Sequence, residues 1–378
     1  MPFPKIAHID TMLPVLDGNI IMRDIAGDSK TPSVYSFFYM VQGQDTFSGE
    51  NSDLKREARG ICFWGDGPIM SRPMQKFFNI GEKPHTMDTA IPWNDVKRVM
   101  VKRDGSMVHP IYVAANLILK TKKSFTSPEA IAATELLKAN PDQMKWVVDQ
   151  MKNGQTPIFE FTSPNFPIVV SYQTAELTLL HIRNNISGEY IDIPNDGSVP
   201  FPIVEDVRSN FEKDGIVSFE LIKNWCMTAT HVEGIVVQLQ NGEMVKAKTQ
   251  WYADLHRTIV FIRVRDVVEA VLNDNVDDMI GAFRMCGRPE STVQQVETIR
   301  NTVLDEVNKI RCAVQSIVST IPVGMSRKDI YSNFAKNSDF PSEVMMVYDG
   351  KSVDWIELYR KRFLKKWPLD VIVDNAGD

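Results

Sequence analysis

At 378 residues the chain is long enough for two domains, and 43% hydrophobic with 24% charged residues marks a globular protein, not a disordered or fibrous one. A net charge of −6 argues against non-specific coating of nucleic acid but leaves room for a local basic groove. The four cysteines (Cys62, Cys226, Cys286, Cys312) form no CxxC pair and the six histidines no HExxH, so neither a disulfide framework nor a zinc site is expected. The N-terminal MPFPKIAHID lacks the basic and apolar regions of a signal peptide, and no apolar run reaches membrane-spanning length; a cytoplasmic protein without a membrane partner is expected.

Residues 18–120 read mainly as strands and turns, with GICFW and RVMVK as short apolar runs bounded by Gly, Asp and Pro. Two helices follow. Ser127 and Pro128 open one, Asn140 and Pro141 the next, and Gly154 stops it. Strands return in PIFEFTSP, FPIVVSYQ and ELTLLHIR, then in EGIVVQLQNGEMVKAKTQWY, where Asn241-Gly242 marks a hairpin turn. Beyond residue 256 the period changes. Val293, Val296, Ile299, Val303, Val307, Ile310, Val314 and Ile317 recur every three or four positions, which predicts a long amphipathic helix, and residues 352–367 predict another. The fold class is therefore α+β followed by a smaller helical domain.

Several charged residues interrupt the apolar strands of the first part. Lys102 ends RVMVK just before Asp104-Gly105, Glu160 interrupts FEFTSP, and Glu233 precedes GIVV. Lys246 and Lys248 are two apart on a strand and so share a face, an arrangement suited to a polyanion such as a triphosphate. Taken singly, each has a plain reading. Lys102 is a surface lysine before a turn, Glu160 and Glu233 are edge-strand charges, and the lysine pair is the wet face of a hairpin.

Taken in order, they resemble the motifs of the covalent nucleotidyltransferases, the ligases and capping enzymes. ARGICF, SRPMQKFFNIGE, LKTKKSFTS, EFTSPNFPIVVSY, RNNISGEY and VKAKTQWYADLH narrow the match: residues 56–256 are similar to the RNA ligase 1 family of T-even phages. Beyond them only VDDMIGAF continues the likeness. The resemblance implies an ATP-grasp-like nucleotidyltransferase domain with antiparallel sheets over residues 1–256. An all-α domain for RNA or tRNA recognition would follow over residues 257–378.

The implied reaction has three steps. A lysine takes AMP from ATP, the AMP passes to a 5′-phosphate RNA end, and a 3′-hydroxyl displaces it. Lys102 would be the nucleophile, activated by neighbouring cations and by Mg²⁺ on ATP, because a free lysine is protonated at neutral pH. By the same resemblance Lys246 and Lys248 would stabilise the α-phosphate, and Arg59 and Lys76 would hold the outer phosphates. Glu160 would accept a ribose hydroxyl, Glu233 would orient Lys102 or a metal-bound water, and Phe78 would pack against adenosine. Asp104 and Gly105 complete the lysine motif, Lys120 and Lys122 lie near the nucleotide, Tyr252 touches the triphosphate or its metal, and Asp277 is the metal ligand. Phe37 and Tyr39 compete for a further aromatic position. The expected partner is RNA with 5′-phosphate and 3′-hydroxyl ends, tRNA in particular, and the expected state is a monomer. DNA ligases and capping enzymes append a β-barrel after the paired lysines, where this chain turns helical; an inactive RNA-binding relative would lose Lys102 or Glu233, and both are present.

Overall fold

The structure is a computed structural model and describes residues 3–25, 33–40, 46–166, 170, 172–253, 263–285, 290–368 and 370. The chain divides into two compact units. The first comprises Met1–Ile259 and Asp277–Arg288, the second Val260–Val276 and Pro289–Asp378. The sequence places everything beyond residue 256 in one helical domain; that boundary lies outside the described residues, as do Cys286 and much of FPIVVSYQ. The return of Asp277–Arg288 to the first unit was not expected. It has a packing reason: a Cβ on Gly281 would lie 2.7 Å from Cγ of Asn79, and the Asn79 amide donates to the Asp277 carbonyl at 3.3 Å.

Three larger sheets build the first unit. One runs in sequence order through β1 (Ile20–Asp24), β2 (Val34–Tyr39), β3 (Arg59–Trp64) and β4 (Ile69–Ser71). The second has β5 (Phe78–Asn79) beside β15 (Met244–Lys248), then β14 (Gly234–Leu239) and β6 (Val96–Lys102). The third orders β11 (Tyr190–Ile191), β10 (Glu176–Asn184), β9 (Gln155–Thr162), β7 (Ser106–Val113) and β8 (Asn116–Lys120). Pairing is antiparallel apart from β5 with β15. A two-stranded ribbon, β12 (Glu212–Lys213) with β13 (Ile216–Val217), stands apart from the sheets.

The helix signals resolve as the chemistry of caps requires. α1 (Ser52–Glu57) precedes β3. In α2 (Pro128–Lys138) the Ser127 side chain accepts from the Ala130 amide, and in α3 (Pro141–Lys152) Asn140 accepts from Gln143, satisfying amides that a helix start leaves unpaired. Leu137 and Val147 bury the pair against Val108, Phe159 and Leu179 of the third sheet. α4 (Phe219–Thr228) sets Ile222 and Cys226 on Val99, Ile235 and Val237 of the second.

In the second unit α5 (Val264–Leu272) and the thirty-residue α7 (Glu290–Ser319) pack together, separated in sequence by α6 (Val276–Met285). α7 buries Val293, Val296, Val303 and Val314, so the three-and-four spacing does face inward. After α8 (Arg327–Ile330) and α9 (Pro341–Tyr348), α10 (Trp355–Phe363) is shorter than the predicted 352–367, because Asp354 caps its start and a 3₁₀ turn, Leu364–Lys366, ends it. Its Tyr359 is fully buried and donates to Glu306 of α7.

Candidate active site

Strand register explains how distant residues meet. Gly234 of β14 stands opposite Lys102 on β6 and Lys248 on β15, so both lysines lie level with it on neighbouring strands. Only glycine allows this approach, since a Cβ on Gly234 would fall 2.0 Å from the Ala247 carbonyl oxygen. The carboxylate of the preceding residue, Glu233, is buried and accepts from Lys102 Nζ at 2.6 Å and Lys248 Nζ at 2.9 Å. Asp278 of α6 closes the other side, 2.5 Å from Lys246 Nζ and 3.4 Å from Lys248 Nζ. Three ammonium groups and two carboxylates thus alternate.

That alternation sets protonation. Burial pulls Lys102 down, but Glu233, Glu160 and Asp278 outweigh it and hold the ammonium above the ordinary lysine range. For Lys246 burial prevails over Asp278, and the neighbouring lysines add to it, so its pKa is lowered. Burial also raises Glu160, to about 7 against the pull of Lys102. Glu160 faces this group from β9, and its carboxylate accepts no hydrogen bond among the described residues.

Asp104 and Gly105 form the turn that follows Lys102. The Asp104 carboxylate takes the Val170 amide at 2.7 Å and the Tyr252 hydroxyl at 3.0 Å, while its own amide donates to the Tyr172 hydroxyl at 3.0 Å. It therefore organises the turn behind Lys102. A Cβ on Gly105 would lie 2.4 Å from the Phe161 carbonyl, so the turn presses directly on β9. Tyr252 is buried with its ring 4.6 Å from Lys248 Nζ.

A second cluster gathers aromatic rings and cations. Lys76 Nζ lies 3.6 Å from Asp277 and 5.5 Å from the Phe78 ring centroid, with Tyr39 at 5.9 Å. Lys122 Nζ stands 3.8 Å over Tyr39. Tyr39 is therefore the aromatic residue beside these cations, whereas Phe37 is fully buried edge-on to Phe63 at 5.6 Å. Arg59, at the start of β3, has its guanidinium 5.3 Å from the Phe77 ring and forms no ion pair with a carboxylate among the described residues. Lys120, expected near the nucleotide, is fully buried behind Lys122.

Sequence reasoning singles out Asp277 as the site residue and not its neighbour Asp278. Neighbouring positions on a helix point about 100° apart, so only the docking of α6 decides which lysine each reaches. The sequence model of the RNA ligase family matches residues 57–252, more than half of the chain. The chain belongs to the RNA ligase family.

Among its relatives, a protein provisionally named an RNA ligase, from Thermovibrio ammonificans, is 28% identical over 290 residues, 72% of this chain and 70% of that protein. RNA ligase 1 of bacteriophage TS2126 is 28% identical over 247 residues, 60% of this chain and 58% of its own length. The chain thus spans less than two thirds of the phage protein. Solved structures align more loosely. An archaeal ATP-dependent RNA ligase gives a TM-score of 0.46 at 10% identity over 83% of this chain and 79% of that one. The span of the family model, residues 57–252, includes Lys102, Glu160, Glu233, Lys246 and Lys248.

Proposed function

We infer that this RNA ligase uses ATP, forms a covalent lysyl-AMP on Lys102, and joins 5′-phosphate to 3′-hydroxyl RNA ends. The observation that carries the reading is Glu233 bridging Lys102 and Lys248 across adjacent strands. A lysine is placed there beside two more cations, where a triphosphate can replace carboxylates as the counter-charge. Nζ of Lys102 attacks the α-phosphorus, the bond to the pyrophosphate oxygen breaks, and Lys246 and Lys248 meet the charge that develops. The ammonium must first lose its proton, so ATP binding has to weaken the contact with Glu233.

AMP then passes to the RNA 5′-phosphate, and the 3′-hydroxyl displaces it in the sealing step. Arg59, Lys76 and Lys122 hold the outer phosphates or the RNA end, Phe78 and Tyr39 flank them, and Glu160 takes a ribose hydroxyl. Tyr252 and Asp104, tied to each other, keep Lys248 and the Lys102 turn in place.

Mg²⁺ fits this donor set. It binds through one or two carboxylates together with substrate phosphates. Asp277 and Asp278 offer two such groups from one helix turn beside the phosphate-binding lysines, although no cluster of three or more metal-ligating side chains occurs among the described residues. Bound there, Mg²⁺ would withdraw charge from the phosphates. The helical second unit, in this reading, contacts tRNA, and the physiological substrate is a broken tRNA.

The test is direct. Incubation with labelled ATP should leave an acid-labile, base-stable adduct that Lys102→Ala abolishes. An adduct that survives in that variant, or one formed from GTP alone, overturns the assignment.

A further inference from the structure

One cation beside the site has no task in the reaction as described. Lys120 ends β8 with 0% of its surface exposed, and among the described residues no carboxylate pairs with it; the titratable groups around it are the buried thiol of Cys62 and the buried imidazole of His109. Burial lowers its pKa. A lone ammonium in such a place opposes folding, and a methionine of similar length would fill the volume with no charge to desolvate. Something other than stability holds it there.

Its hydrogen bonds show what. Nζ donates to the Lys122 carbonyl at 2.9 Å and lies 3.5 Å from the Gly60 carbonyl. Lys122 belongs to a turn closed by the Thr121 amide on the Ser124 carbonyl at 2.8 Å, and Gly60 directly follows Arg59 on β3. The fit around the ammonium is close. Gly60 has φ +106°, and a Cβ there would meet the Lys122 carbonyl at 3.0 Å, Lys120 Nζ at 3.2 Å and His109 Nε2 at 3.3 Å. A glycine at this position both adopts the left-handed backbone and leaves room for the head group.

We propose that Lys120 is a positioning residue: by clasping the carbonyls of Lys122 and Gly60 it fixes Lys122 against Arg59, setting the spacing of two phosphate-binding cations. It touches neither ATP nor RNA. The proposal rests on the ligase reading above, in which those two cations bind phosphate.

Lys120→Met in the full chain separates positioning from architecture. Its melting temperature should equal or exceed that of the parent, because a buried charge has been removed. Ligation of 5′-phosphate RNA at limiting ATP should nevertheless fall about ten- to a hundredfold, the scale of a small misplacement. Because Lys120 acts through Lys122, the double variant Lys120→Met with Lys122→Ala should ligate no more slowly than Lys122→Ala alone. Parental ligation by Lys120→Met overturns the proposal, as do losses that multiply in the double variant. A lowered melting temperature or failure to fold makes the lysine an architectural element and also overturns it. Failure of the ligase reading would look different: the parent protein itself would form no ATP adduct.

Discussion

Two clusters of opposite charges lie in the first unit, and they are built from different cations. In one, Glu57 is clamped by two arginines, Arg72 and Arg183, each 0% exposed, with four nitrogen–oxygen contacts between 2.8 and 3.1 Å. Further guanidinium protons go to the carbonyls of Pro4, Pro73, Asn185, Ile186 and Gly188. In the other, Lys102, Lys246 and Lys248 share Glu233 and Asp278, and Glu160 beside them is left without a hydrogen bond among the described residues. Planar forks that saturate a carboxylate make a permanent joint. Point charges on flexible stems can change partners, which phosphate chemistry requires. The first cluster belongs to the fold; the second is the one the proposed function assigns to the reaction.

The largest expected effect breaks that contrast if it is wrong. Lys246→Ala should lower ligation about a thousandfold, the scale for removing a group that stabilises developing charge, with little change in melting, and sealing of pre-adenylated RNA should suffer too. Arg59→Ala and Lys76→Ala should harm overall ligation more than that sealing step. Equal losses for all three variants in both assays would contradict the division of roles.

Glu57→Gln should do the reverse. One partner of a buried ion cluster is neutralised, and urea unfolding should show a loss of about 3–5 kcal/mol. A variant as stable as the parent would place Glu57 outside the architecture.

The pH dependence sharpens the comparison further. Burial works to raise Glu57, but Arg183 and Arg72 outweigh it and hold the carboxyl down to about 2 from 4.5. Its stabilisation is thus complete above pH 4.5 and lost as the pH falls towards 2. Glu160 runs the other way, because burial raises its carboxyl from 4.5 to about 7. Ionising it in the folded state costs stability, fully so above pH 7 and not at all well below 4.5. Glu160→Gln should therefore melt higher than the parent at pH 8, with the gap closing as the pH falls through 7 to 4.5, while adenylation drops. A pH-independent gap would remove Glu160 from the titrating set.

The smallest effect concerns the second unit. Lys361 is exposed and paired weakly with Glu357, at 3.5 Å, and Lys365 and Lys366 are also exposed. Charge reversal at all three should weaken tRNA binding and flatten its salt dependence while leaving lysyl-AMP formation intact. Unchanged affinity and salt slope would leave the basic face of α10 a solvated surface.

The sequence carried the second cluster better than the first. Lys102, Glu233, Lys246 and Lys248 stand at motif spacing, and alternation along β15 already put the paired lysines on one face. Arg72 and Arg183 carry no such mark, since an arginine buried by a carboxylate 15 or 126 residues away looks like any surface arginine in one dimension. The strands and capped helices were legible because their signals are local: Ser127, Asn140 and Asn241-Gly242 act on neighbouring backbone. The role of Asp104 was not, because Val170 and Tyr252 reach it through tertiary structure.

The chain's passage back into the first unit at Asp277–Arg288 has a consequence for biosynthesis. A ribosome delivers Lys102, Lys246 and Lys248 well before Asp278, and the nascent site holds three crowded ammonium groups with one of the two carboxylates that bridge them still missing. A protein cut after residue 257 would stay in that condition, though every nucleotide motif precedes the cut. Until α6 emerges, the site's charge balance is incomplete, so the order of synthesis delays a balanced cluster until some of the second unit has already been made.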